Sequence, residues 1–132
     1  MLIRVPSTLP PDVEETISTV LGAALEVHRH LGPGFLESIY QRAMCIELSD
    51  RRIAFDQKKR FTVGYKGRPL HGQELDLLVE SKVIVEVKAV SQLEAIHGSQ
   101  VVSYLRATGL RAGLLINFNT PLLKGGIRRI VL

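Results

Sequence analysis

The run GLLINF, residues 113 to 118, is short, apolar and free of period-two alternation. A stretch of this length and character fits a central strand whose two faces are both covered. A chain with such a strand needs a sheet with helices packed against it, so α/β is the fold class to expect.

The rest of the chain supplies the parts. Val13, Ile17, Val20, Leu21, Ala24, Val27 and Leu31 recur at helical spacing, with Glu14, Glu15, Glu26 and Arg29 between them. That pattern predicts an amphipathic helix over about 12 to 30. It stops at LGPG, where Gly32 can take positive φ and Pro33 cannot continue the helix. A second helix runs from near Phe35 to about Arg52, with Leu36, Ile39, Ala43, Ile46 and Leu48 expected on its buried face. From Phe55 the period changes to two: Phe61, Val63 and Tyr65 alternate with Arg60, Thr62 and Gly64, and YKGRP supplies a turn. A strand pair is expected at Leu75 to Val79 and Val83 to Val90. The segment SQLEAIHGSQVVSYLRATG reads as a third helix carrying Leu93, Ile96, Val101, Tyr104 and Leu105 inward and capped by Gly109. IRRIVL closes the chain as an edge strand. The expected order is helix, helix, three strands, helix, two strands, with no repeat or linker.

Composition narrows the class. A chain of 132 residues with 45% apolar content and no Trp fits one aliphatic-cored domain spanning residues 1–132. Seventeen Lys and Arg against thirteen Asp and Glu give a net charge of +4, which mildly favours polyanionic partners. Cys45 is the lone cysteine, so neither a disulfide framework nor a thiolate metal site is expected. The apolar start MLI is broken by Arg4 and Pro6, and no later run approaches a membrane span. These features point to a cytoplasmic protein.

The charges in ELDLLVESKVIVEVKAV, residues 74 to 90, stand out against that apolar background. Along a strand, Glu86 and Lys88 share one face while Val85, Val87 and Ala89 share the other, taken as the core face. If Glu80, Ser81 and Lys82 form a three-residue loop, Asp76 lies opposite Glu86 and the two carboxylates share a face. A two-residue turn at Ser81 and Lys82 puts Asp76 on the other face. Two carboxylates that close repel unless a cation sits between them or one takes a proton. Mg²⁺, or Mn²⁺ in its place, suits such a pair, and Lys88 one pleat further on is suited to orienting water or countering charge on a phosphate. The bland alternative is a solvated Glu86–Lys88 pair contributing little, with Asp76 a polar residue near a turn.

Other segments carry polar side chains toward the same region. His97, Gln100 and Tyr104 fall on one face of the third helix, where each also has an ordinary structural role open to it: a cap, a solvated amide and a core ring. Glu37 and Tyr40 share a face of the second helix, and Glu37 also suits a helix first turn. Lys58, Lys59, Arg60, Lys66 and Arg68 make a basic hairpin suited to a phosphate backbone, although solvated strand faces often look similar.

GFLESIY at 34 to 40 matches G-x-x-E-x-x-Y, and EVHRHLGPGFLESIY, YKGRPL, DLLVESKVIVEVKAV, QVVSYLRATG and GLLINF follow in the order found in the small GxxExxY proteins. Across nearly its whole length the chain resembles that family, which is similar to the PD-(D/E)XK nuclease superfamily. The resemblance implies a restriction-endonuclease-like fold, a mixed central sheet flanked by helices, and Mg²⁺-dependent cleavage of nucleic-acid phosphodiesters. It implies that Asp76, Glu86 and Lys88 stand at the acid, acid and lysine positions, with Asp76, Glu86 and Glu37 as metal ligands. Gln100 and Tyr104 look like a Q-x-x-x-Y motif, with Gln100 in the catalytic set and Tyr104, His97 and Tyr40 beside the substrate. Leu75 replaces the proline that often precedes the first acid. The expected partner is nucleic acid, DNA first, with a homo-oligomer or partner protein to help specificity. The competing expectation is a nucleic-acid-binding or protein-interaction module that keeps the fold without turnover.

Overall fold

The structure, a computed structural model, describes residues 7–132, so the apolar start read at residues 1–6 lies outside it. The elements are α1 (Pro11–Leu31), α2 (Glu37–Asp50), β1 (Phe55–Tyr65), β2 (Arg68–Val79), β3 (Val83–Lys88), α3 (Ala95–Thr108), β4 (Ala112–Asn117), a 3₁₀ turn (Leu123–Gly126) and β5 (Ile127–Val131). The strands form one sheet in the order β1-β2-β3-β4-β5. Every neighbouring pair is antiparallel except β3 and β4. A parallel pair needs a crossover, and α3 provides it. No helix among the described residues is long and apolar enough to cross a membrane.

Both faces of the sheet are covered. Leu77, Val79, Val83, Val85, Val87, Leu114 and Ile116 pack under α1 and α2, whereas Leu75, Leu78, Ile84 and Leu115 pack under Val101, Tyr104 and Leu105 of α3. All six positions of β4 are buried, as the run at 113 to 118 requires. One of them, Asn117, is polar. Gly113 allows α3 to lie close, because a Cβ there would meet Val101 Cγ1 at 2.6 Å. That contact helps fix the helix bearing Gln100 and Tyr104.

The helices begin and end near their expected limits, but α2 is rotated from the expected orientation. Its buried row is Tyr40, Met44 and Leu48, spaced four apart, while Leu36 is 75% and Ile46 64% exposed. Apolar residues occur nearly all round this helix, so their spacing leaves its orientation open. The Tyr40 ring decides it by stacking on Phe118 with centroids 4.8 Å apart.

The β1–β2 hairpin is also longer than its apolar pattern suggests. Its second strand starts at Arg68, not Leu75. Lys66 and Gly67 both take positive φ, as a two-residue type I′ turn requires. Thr62 faces two residues, His71 and Gly72, where the register shifts between Phe61 and Val63, so the ribbon carries a bulge.

Candidate active site

The three-residue loop exists. Glu80 and Ser81 take positive φ, the Lys82 N–H donates to the Val79 carbonyl at 3.0 Å, and Val79 pairs with Val83. The ladder continues through Leu78↔Ile84 to Leu77↔Val85 and then stops. Its next rung would join Asp76 to Glu86. There the side chains replace the backbone bonds: the Asp76 N–H donates to Glu86 Oε1 at 3.1 Å, and the Val87 N–H donates to Asp76 Oδ2 at 2.9 Å.

The strand is distorted at this point. Leu77 and Val79 belong to the core under α1 and α2, but Leu75, two residues earlier, belongs to the core under α3. Regular alternation would keep all three on one face, so β2 turns over at Asp76. On β1, Lys58 holds φ at 52° between the rungs Gln57↔Leu77 and Lys59↔Leu75. A residue other than Gly in that region costs on the order of 1 kcal/mol and marks local strain.

Glu86 is only 3% exposed. The charged face expected to meet solvent is therefore covered, with Ile84 on the same side packed under α3. Burial pushes the Glu86 pKa up to about 8 from an ordinary 4.5, and the Asp76 charge adds to the rise. The Asp76 backbone N–H opposes it, hydrogen bonding between the two carboxyls raises it again, and Lys88 opposes it. A solvated Glu86–Lys88 pair does not describe this arrangement.

Lys88 ends β3 and is partly buried. Its carbonyl accepts the Phe118 N–H at 2.9 Å. Just beyond, the Asn117 side chain clamps Val90 by accepting its N–H at 3.0 Å and donating to its carbonyl at 2.9 Å. Asn117 was not among the expected site residues. Its signal was a single polar residue inside a run otherwise fit for burial.

Glu37 opens α2 near the pair. Its pKa is raised by burial, lowered by Lys88, raised by Asp76 and lowered by His97, which places each of those three groups within electrostatic reach of Glu37. Among the described residues, no three His, Cys, Asp or Glu side chains gather as a ready metal cluster.

On α3, Gln100 Nε2 donates to the Tyr104 hydroxyl at 2.7 Å. Gln73 Nε2, from β2, donates to the same oxygen at 2.8 Å. Burial raises the Tyr104 pKa, with Glu86 adding to the rise. Its ring meets Phe61 edge-on at 5.1 Å. Gln73 was missed because nothing in an alternating polar strand marks one glutamine as bonded across to a helix.

One expected substrate contact needs correction, and another has a structural role as well. Tyr40 is fully buried; its hydroxyl donates to the Gly32 carbonyl at 2.6 Å and accepts the Phe35 N–H at 3.2 Å. It anchors the α1–α2 connection and does not present itself to a substrate. His97 Nδ1 accepts the Glu94 N–H at 2.9 Å and so caps α3. Its ring is partly exposed and within electrostatic reach of Glu37, but one nitrogen is committed to the helix end.

A family model for the PD-(D/E)XK nuclease superfamily matches residues 14–130, almost the whole chain. The chain belongs to the PD-(D/E)XK nuclease superfamily. Neither the curated proteins nor the solved structures gave a match. The mixed five-stranded sheet with α1 and α2 on one side and α3 on the other agrees with the restriction-endonuclease-like fold of this superfamily.

PD-(D/E)XK nucleases typically use divalent metals, and the donor set here fits one. Asp76 and Glu86 bring two carboxyls together in a largely buried place, where both can be ionised only if positive charge is supplied. Oxygen donors of this type suit Mg²⁺ or Mn²⁺ better than a softer ion.

Proposed function

We propose that this PD-(D/E)XK protein is a GxxExxY-type nuclease that hydrolyses nucleic-acid phosphodiester bonds with Mg²⁺ or Mn²⁺. The observation that carries the proposal is Glu86, buried beside Asp76 and held protonated to about pH 8 in the metal-free protein. A stable sheet alone would favour an apolar residue there, since a buried carboxyl beside a second one is costly even when hydrogen-bonded.

In this reading Asp76 and Glu86 would hold the ion, with Glu37, the third expected ligand, close enough to feel the Asp76 charge. The bound ion supplies Lewis acidity, neutralising phosphate charge and acidifying water. Lys88 holds a positive charge beside the carboxylates, placed to orient the attacking water or to counter the charge that grows on the phosphate. Gln100 and Gln73 fix the Tyr104 hydroxyl at the edge of the site, so its position does not depend on substrate. His97 contributes through its exposed edge while its Nδ1 caps the helix.

The test is a Mg²⁺ and Mn²⁺ titration with single- and double-stranded DNA and RNA, resolved on a gel. Metal-dependent cleavage that EDTA abolishes supports the proposal. A protein that binds nucleic acid and cuts none of these substrates supports the second reading, a binding module without turnover.

A further inference from the structure

The β1–β2 hairpin continues past the site as a two-stranded ribbon. Every residue from 62 to 74 is exposed, although Val63 and Gly64 share a cavity wall with Ser103, Arg106 and Ala107 of α3 and Gln73 bonds to Tyr104. Between residues 57 and 73 it carries Lys58, Lys59, Arg60, Lys66 and Arg68 and no Asp or Glu. The remainder of the chain, with twelve Lys and Arg against thirteen Asp and Glu, is net −1. The ribbon therefore accounts for the whole positive charge of the molecule. None of the ion pairs among the described residues involves these five cations.

We infer that this ribbon is an arm for duplex DNA, lying in the major groove with its cations on the flanking phosphates; the inference rests on the nuclease reading and names its substrate class. The geometry of the chain supports it. Strand β2 runs unbroken from Arg68 at the tip to Asp76 in the site. Eight residues at ~3.3 Å each span about 26 Å. That length covers roughly eight base pairs at ~3.4 Å per pair. A two-stranded ribbon fits the B-form major groove, about 12 Å wide, whereas the deep, narrow A-form groove excludes it.

The side chains separate this partner from others. Single-strand binding uses stacking platforms, but the ribbon offers just Tyr65, whose ring lies 5.5 Å from the Lys66 ammonium, and the smaller His71 imidazole. Phe61 is turned inward against Tyr104. Val63 and Leu70 form an exposed apolar cross-strand pair, suited to thymine methyl groups on the groove floor. The same pair would suit a second copy of the chain, but two such ribbons would bring like charges together.

The test compares the intact chain with a Lys59→Ala, Arg60→Ala, Lys66→Ala, Arg68→Ala variant, using fluorescence anisotropy on labelled duplex DNA, single-stranded DNA and duplex RNA in Ca²⁺ across a salt series. These positions are exposed, and equal stabilisation of both proteins by Mn²⁺ confirms that the site is intact. The expected result is tightest binding to duplex DNA, weakened about 10- to 100-fold in the variant, with the salt slope reduced by about 0.9 for each phosphate no longer neutralised. Equal duplex binding by both proteins overturns the arm and leaves the nuclease reading standing if the wild type still cuts. Ribbon-dependent duplex binding without cleavage in Mg²⁺ or Mn²⁺ keeps the arm and removes the nuclease reading. A change in sedimentation with unchanged DNA affinity assigns the ribbon to self-association and overturns the inference.

Discussion

Asp76 and Glu86 are joined through each other's backbone: Glu86 Oε1 accepts the Asp76 N–H at 3.1 Å, and Asp76 Oδ2 accepts the N–H of Val87, the residue after Glu86, at 2.9 Å. The two carboxyls thus take the place of a rung of the sheet. Their spacing is set by the strands, so the pair is formed before any cation arrives. Preformed donors bind without the entropy loss of ordering long side chains.

The pair gives stability a pH dependence of definite sign. Glu86 has a folded-state pKa of about 8 against an ordinary 4.5. Between those values the folded chain holds more protons than the unfolded one, so metal-free stability falls as pH rises and the fall ends above about pH 8. Glu86→Gln, which stays neutral, should flatten that slope and raise the melting temperature at alkaline pH. Thermal melts of both proteins across the pH range in EDTA check this; parallel curves would show that Glu86 does not titrate as described.

Lys88→Met keeps an aliphatic stem and removes the charge. Stabilisation by Mn²⁺ should persist, because the carboxyl pair is untouched, while cleavage should fall ~10²–10⁴-fold. Single-turnover rates at saturating metal provide the comparison. A variant that cuts at the wild-type rate would remove Lys88 from the chemistry.

Tyr40→Phe tests the structural role given to that hydroxyl. It loses the bonds to the Gly32 carbonyl and the Phe35 N–H while keeping the ring stacked on Phe118. The expected effect is about 1–3 kcal/mol of stability in urea denaturation. The cleavage rate of the folded variant should be nearly unchanged, and a large rate loss at unchanged stability would restore Tyr40 to the substrate site.

Asn117→Ala should be more disruptive than its size suggests. It removes the clamp on both polar groups of Val90, which lies two residues past Lys88. The partly buried Val90 N–H loses its partner, at a cost of ~1–3 kcal/mol, while its carbonyl keeps only the longer 3.4 Å bond from Asn119 Nδ2. Urea denaturation should show lower stability, and hydrogen exchange should show faster opening after β3. Wild-type protection there would mean that other contacts hold the segment.

Much of this layout could be read from residue order. The period change at Phe55 and the apolar run at 113 to 118 carry the layers, whereas the residues at 80 to 82 allow two turn lengths, and only the structure selects the three-residue loop that puts Asp76 opposite Glu86. Burial of Glu86 could not be read this way, because alternating charges on one strand look alike whether a helix covers them or water does. The orientation of α2 depends on Tyr40 meeting Phe118, 78 residues later in the chain. Gln73 and Asn117 act through long-range hydrogen bonds that leave no local pattern, although a polar residue within an apolar strand does mark Asn117 as needing a partner.

Whether Asp76 and Glu86 form a cation site can be measured by calorimetric titration of Mn²⁺ into the wild type and Glu86→Gln at pH 7. Saturable binding by the wild type, with close to one proton released as Glu86 gives up the proton it holds to about pH 8, is the expected result, together with loss of that binding in Glu86→Gln. Equal Mn²⁺ binding by the two proteins, or none by the wild type, would show that the carboxyl pair is not the metal site.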